Sequence, residues 1–174
     1  MRKLAYLLIL MVLGCGTTTQ TTGGVSSGKQ ITPSSKILVV GFPDAVDKGG
    51  STIGGSGGAA TAAIRDALLK RGYSPIVGDS HTLAEAFTEA QKLSSVYVLR
   101  GSLIGWEDNA TGWSARPDTA GLSLELYDSS SRELVGSASN TAKSSAIEFV
   151  PGAPDRLLPE ITTATLNKLF GLHI

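Results

Sequence analysis

Lys36-Ile37-Leu38-Val39-Val40-Gly41-Phe42 is a near-continuous apolar run. A strand with one wet face alternates, so an unbroken run marks a strand covered on both faces. Covering both faces of a short strand takes helices, and the segments that follow supply them. After a Gly-rich loop, Ala59 to Arg71 reads as a helix, with Ile64, Leu68 and Leu69 near helical spacing and Gly72 as its stop. Tyr73 to Val77 is a second short strand. Thr82-Leu83-Ala84-Glu85 fits a capping box and opens a helix to about Leu93.

Val96 to Ile104 is the third strand. Leu122 to Tyr127 alternates and so has one wet face, and Asp128-Ser129-Ser130-Ser131 turns the chain into a fifth strand, Glu133 to Thr141. Pro159 suits the first turn of a last helix, with Ile161, Leu166, Leu169 and Phe170 on its buried side and Gly171 as its stop. The order is β-α-β-α-β-β-β-α. Two crossovers predict a parallel portion and two hairpins an antiparallel one. The expected fold is α/β (α+β-like), a single mixed five-stranded sheet with helices against it. Lys36 to Phe42 and Val96 to Ile104 should be central, with Ile37, Val39, Val98 and Leu103 buried. The pattern resembles envelope domains such as the amino-terminal domain of the Tol system's propeller protein, a likeness of architecture only.

Upstream, Arg2 and Lys3 precede a charge-free run from Leu4 to Leu13. That is the order and length of a secretory signal, too short to span a bilayer as a helix. The run ends Val12-Leu13-Gly14-Cys15, which resembles a lipobox. Residues 1–14 are thus expected to be a lipoprotein signal peptide and Cys15 the acylated first residue. Cys15 is the single cysteine, so lipidation leaves no thiol for a disulfide, a metal or a nucleophile. In Gram-negative lipoproteins an Asp after the Cys usually means inner-membrane retention, so the resemblance, with Gly16 at that position, implies the outer membrane, the domain facing the periplasm. Gly16 to Ser35 has hardly an apolar residue and reads as a flexible tether, making 15–35 a lipidated linker and 36–174 one domain. Removing Arg2 and Lys3 leaves 15 − 2 = 13 basic against 15 acidic residues, a net −2, which gives no reason to expect nucleic-acid binding.

Between the third and fourth strands lies Trp106-Glu107-Asp108-Asn109-Ala110-Thr111-Gly112-Trp113-Ser114-Ala115-Arg116-Pro117-Asp118. The order W-E-D-x-x-T-x-W-S-x-x-P-D resembles a proteobacterial lipoprotein family, domain of unknown function 4823. The lipobox, Gly55-Ser56-Gly57 before the first helix and Leu157-Leu158-Pro159 before the last fit the same family. Ala146 to Ala153 departs from it. The resemblance implies location and fold and no reaction. From the residues themselves, Trp106, Glu107, Asp108, Thr111, Trp113 and Asp118 are candidates for a binding rim, since indoles stack on sugar rings or apolar anchors and carboxylates hold hydroxyls or cations. The alternative is structural: Trp106 packs, and Asp108, Asn109 and Asp118 form turns. Trp113, between Gly112 and Ser114, is the expected exposed anchor.

Gly55, Ser56 and Gly57 form a candidate anion-binding loop at a helix start. Gly55 to Ala60 also matches G-x-G-x-x-A, but more than ten residues separate it from Phe42, and a dinucleotide fingerprint needs a tight strand-to-helix turn. Close backbone packing is the other use of such glycines. The histidines are His81 and His173. Asp79-Ser80-His81 are consecutive and cannot converge as a triad, and zinc lacks ligands. We therefore expect no catalytic residue, metal or cofactor. The expected function is a membrane-anchored binding or assembly module whose partner is another envelope protein. A saccharide or peptidoglycan-fragment binder is the alternative, and a hydrolase or transferase comes after both.

Overall fold

The computed structural model of the chain describes residues 18–25, 31–109, 116–144 and 154–171. The strand that decides the fold is β2, Lys36–Val40. Ile37 and Val39 face one helix, α1 (Ser56–Lys70), and Leu38 and Val40 face another, α2 (Leu83–Lys92). All four are buried, as an unbroken apolar run requires. β5 (Ser74–Gly78) and β6 (Tyr97–Glu107) flank β2, both parallel to it. β7 (Thr119–Asp128) and β8 (Leu134–Lys143) then continue the sheet antiparallel. A 3₁₀ turn, Pro154–Leu157, leads into α3 (Leu158–Leu169), which lies beside α1 and across β7 and β8.

All the expected strands and helices are present in the expected order, in one mixed sheet. Two expectations are corrected. The sheet has a sixth strand, β1 (Thr18–Val25), paired antiparallel with β8 and drawn from the segment read as a flexible tether. Composition hid it because its residues are polar. An edge strand is held by backbone hydrogen bonds, which any side chain permits, and α3 also packs against it. Leu103 is half-buried rather than buried, although Ile37, Val39 and Val98 are fully so. It packs at the margin of the main core, near the end of β6.

The Gly-rich loop also carries order of its own. β3 (Ala45–Val46) and β4 (Thr52–Ile53) pair as a short hairpin. Asp47 Oδ1 accepts from the N–H groups of Gly49 and Ser51, each at 2.8 Å, and turns the tip. Phe42, just past β2, lies over Gly101 on β6: a Cβ there would fall 2.0 Å from its ring. The hairpin is thereby pinned above the carboxyl end of the parallel strands.

A groove built around the tryptophan–acid motif

Along β6, Tyr97, Leu99 and Leu103 point to the α1/α3 side, and Arg100, Ser102 and Ile104 to the other. Continued alternation would send Trp106 outward with Ile104. The pairing with β7 slips between Leu103 and Gly105, leaving Ile104 bulged and 52% exposed. One extra residue reverses every side chain after it. Trp106 therefore turns into the core and is only 6% exposed. It seals one wall and does not stand on a rim.

Asp118 is likewise structural in placement. It is 1% exposed, and its Oδ1 accepts from Asn109 N–H at 2.8 Å. Its own N–H donates to Ser144 Oγ at 2.8 Å, and its carbonyl accepts from Ser144 N–H at 2.9 Å. Asn109 Nδ2 donates to Pro117 O at 2.8 Å. Asp118 Oδ2 makes no hydrogen bond among the described residues and meets Arg156 Nη2 at 3.6 Å. The carboxylate of Asp118 thus ties the end of β6 to the 3₁₀ turn, and its backbone ties the start of β7 to the end of β8. A buried charge held by hydrogen bonds and a partner is tolerated, whereas an unpaired one is not.

Glu107 and Asp108 are the motif acids that reach the surface. Glu107 is half-buried and meets Lys48 Nζ, from the hairpin tip, at 3.0 Å; Asp108 is exposed. With Lys48 largely solvated, the pair adds little stability. It does mark where the hairpin comes over the end of β6. Between them opens a groove of about 1030 Å³. Trp106, Glu107, Asp108, Asn109, Arg116 and Pro117 line one side of it, and the hairpin and the start of α1 the other. Lys143 and Asp155 also line it, so cations and acids both face the groove, together with the apolar side chains of Ile53, Ala59 and Pro154. Thr111 and Trp113 lie outside the described residues, as do Cys15 and Ala146 to Ala153.

The candidate anion loop is corrected. Gly55 takes φ +85° as the residue before α1, and no side chain of the helix itself caps it. The first turn is instead served by Asp44, whose Oδ1 accepts from Gly57 N–H at 2.8 Å. Ser56 Oγ donates to Ile53 O at 2.7 Å and accepts from Ala45 N–H at 2.8 Å. The protein's own carboxylate occupies the place an external anion would take. Gly57 is required by close packing: a Cβ there would lie 2.2 Å from Phe42 O, a backbone atom that cannot move aside cheaply.

Sequence reasoning missed Asp44, Lys48 and Arg156, and it named Asn109 only as a turn former. Asp47-Lys48-Gly49-Gly50 is a turn signal that would have exposed the hairpin and with it Lys48. Nothing local marks Asp44 or Arg156. Ser80 is buried and its hydroxyl donates to Glu89 Oε2, so it does not face His81 as a nucleophile would. His173 lies outside the described residues. Among the described residues no cluster of His, Cys, Asp and Glu could hold a metal ion, and no helix is long and apolar enough to cross a membrane.

The same fold occurs in solved structures. The PelC dodecamer of Paraburkholderia phytofirmans is 19% identical, with a TM-score of 0.66 over 88% of this chain and 96% of that one. Protein XCC0632 of Xanthomonas campestris, of family DUF330, is 16% identical, with a TM-score of 0.53 over 80% and 88%. Lipoprotein GNA1162 of Neisseria meningitidis is 18% identical, with a TM-score of 0.50 over 76% and 96%. Identities this low establish a shared fold and nothing more. No curated protein matches the sequence. The family model described as "Domain of unknown function (DUF4823)" matches residues 29–167, most of the chain, and the protein belongs to that family.

Proposed function

We propose that the protein is a lipoprotein anchored to the outer membrane through Cys15, and that its periplasmic domain is a non-catalytic module that binds another envelope protein in the groove above β6. One observation carries this reading: the groove is walled by the motif that characterises the sequence, with Glu107, Asp108, Arg116, Lys48 and Lys143 placed around it. A lining with charges of both signs beside apolar residues suits a protein segment with charges of its own, since complementary potentials set register and partner choice. The domain has the fold of a lipoprotein and of the protomer of a dodecamer, which supports both the envelope setting and an assembly role. The carboxylates of Glu107 and Asp108 on the groove also support the second reading, a saccharide or peptidoglycan fragment, whose hydroxyls they could accept from.

Anchoring is tested by Cys15→Ser: the variant should lose its lipid and leave the membrane fraction, and one that stays with unchanged mobility overturns the anchor. Binding is tested with Asp108→Lys and Lys143→Glu, both surface changes. In-cell cross-linking with mass spectrometry should capture an envelope protein with the parent and lose it with these variants, at unchanged melting temperature. Trp113→Ala tests the expected anchor in the same assay. A melting shift with muropeptides and no protein capture would establish the saccharide reading. Groove variants that keep the parent's whole capture profile would overturn both.

A further inference from the structure

The two edges of the sheet are β1 and β5, and they are built differently. β5 has five residues, and one is Pro75, which has no N–H to offer. Just past its end, the N–H groups of Asp79 and Ser80 are taken by the Glu89 carboxylate from α2. Shortness, proline and charge are the means by which exposed edges are kept from pairing with other chains. β1 uses none of them. Thr18–Val25 is eight residues long, without proline and without charge. It pairs with β8 from Thr18↔Lys143 to Val25↔Gly136 with no slip of register, so no bulge twists the edge away. No described strand lies on its outer side, where a row of N–H and C=O groups faces outward.

We propose that β1 is a self-pairing edge: a second copy of this chain lays its own β1 antiparallel against it, joining two six-stranded sheets about a two-fold axis. The choice of a second copy rests on charge and symmetry. A two-fold contact sets the same patch against itself, so any charge on it meets its like. β1 carries no charge to repel. In a register centred on Thr21, Gln20 of one copy stands opposite Thr22 of the other, and both side chains are exposed. Thr22 Oγ1 lies 2.8 Å from Ser139 Oγ, which places it on the face that carries the Ser and Thr residues of β8. Thr18 is the third residue after Cys15, a reach of about 10 Å. Copies anchored in one membrane would therefore present these edges at one height. That last point rests on the lipid anchor proposed above; the pairing does not.

The full-length protein is tested in isolated membranes and in detergent. Gln20→Cys with Thr22→Cys, which places a cysteine of each copy directly opposite one of the other, should give a disulfide-linked dimer on mild oxidation, and Val77→Cys, on the exposed part of the β5 edge, should not. The parent chain is the control: a dimer band there reports a free thiol at Cys15, a failure of the anchor and not of the pairing. In detergent, native mass spectrometry should find the parent dimeric. Gln20→Lys with Thr22→Lys should weaken that dimer about tenfold or more, because like charges then stand opposite one another. Gln20→Glu with Thr22→Glu should do the same, and mixing the two variants should restore pairing. A monomeric parent, a lysine variant that stays fully dimeric, or equal cross-linking of the Gln20→Cys, Thr22→Cys double variant and of Val77→Cys overturns the proposal.

Discussion

Helix α2 is capped by its own sequence, and helix α1 by a residue from another loop. At α2, Thr82 Oγ1 accepts from Glu85 N–H at 3.3 Å while Glu85 Oε2 accepts from Thr82 N–H at 3.0 Å. Residues three apart do both jobs, so the start of α2 is a local property. At α1 the capping carboxylate comes from Asp44, with the hairpin of β3 and β4 between it and Gly57. That cap exists only once the hairpin has folded against the sheet. The first kind of helix start is independent of its surroundings; the second couples the helix to the groove beside it. The beginning of α1 is groove wall, and the beginning of α2 is not.

The comparison can be broken most forcefully at Gly57. Gly57→Ala forces a methyl into the carbonyl of Phe42 and should cost about 3 kcal/mol, read as a lowered denaturation midpoint. If the change is silent, the hairpin and α1 are not tightly joined. Asp44→Ala leaves the first turn of α1 without its carboxylate and should cost about 2 kcal/mol, with Asp44→Asn recovering part of it. It should also disturb capture at the groove, because the hairpin tip loses its hold on the helix. Thr82→Ala should cost about 1 kcal/mol and leave capture untouched. Equal effects of Asp44→Ala and Thr82→Ala on capture would erase the distinction between the two helix starts.

The smallest effect is on pH dependence. Hydrogen bonds from the His81 and Thr82 backbone hold Glu85 below the ordinary carboxylate value of 4.5, and a bond from the Ser80 hydroxyl does the same for Glu89. A carboxylate with a lowered value in the folded protein stabilises it above the ordinary value, and that support is lost as pH falls through the lowered one. Acid should therefore loosen α2. Glu85→Gln should flatten the fall in melting temperature below about pH 4.5.

Much of the architecture is legible in the sequence for the same reason that α2 is. The run from Ile37 to Val40, the alternation in β7, the spacing of Ile161, Leu166 and Leu169, and the capping box each depend on residues within one element. The site is less legible because its decisive contacts are long-range. Trp106 and Asp118 look like rim residues in a polar stretch. Both are buried, one by a bulge at Ile104 and the other by bonds to Asn109 and Ser144.

Hydrophobic periodicity and local hydrogen bonding by themselves determined the order of the elements, the mixed sheet with β2 covered on both faces, and the start of α2. Burying apolar surface at those periods leaves few other arrangements. Only the tertiary structure decided the rest. A one-residue slip between β6 and β7 has no local signature, yet it reverses the faces of everything that follows. An edge strand needs only a neighbour's backbone, so β1 leaves no mark in hydropathy. The cap of α1 is a carboxylate brought from another loop, and its pairing with Gly57 follows from proximity in space, which the spacing along the chain does not encode.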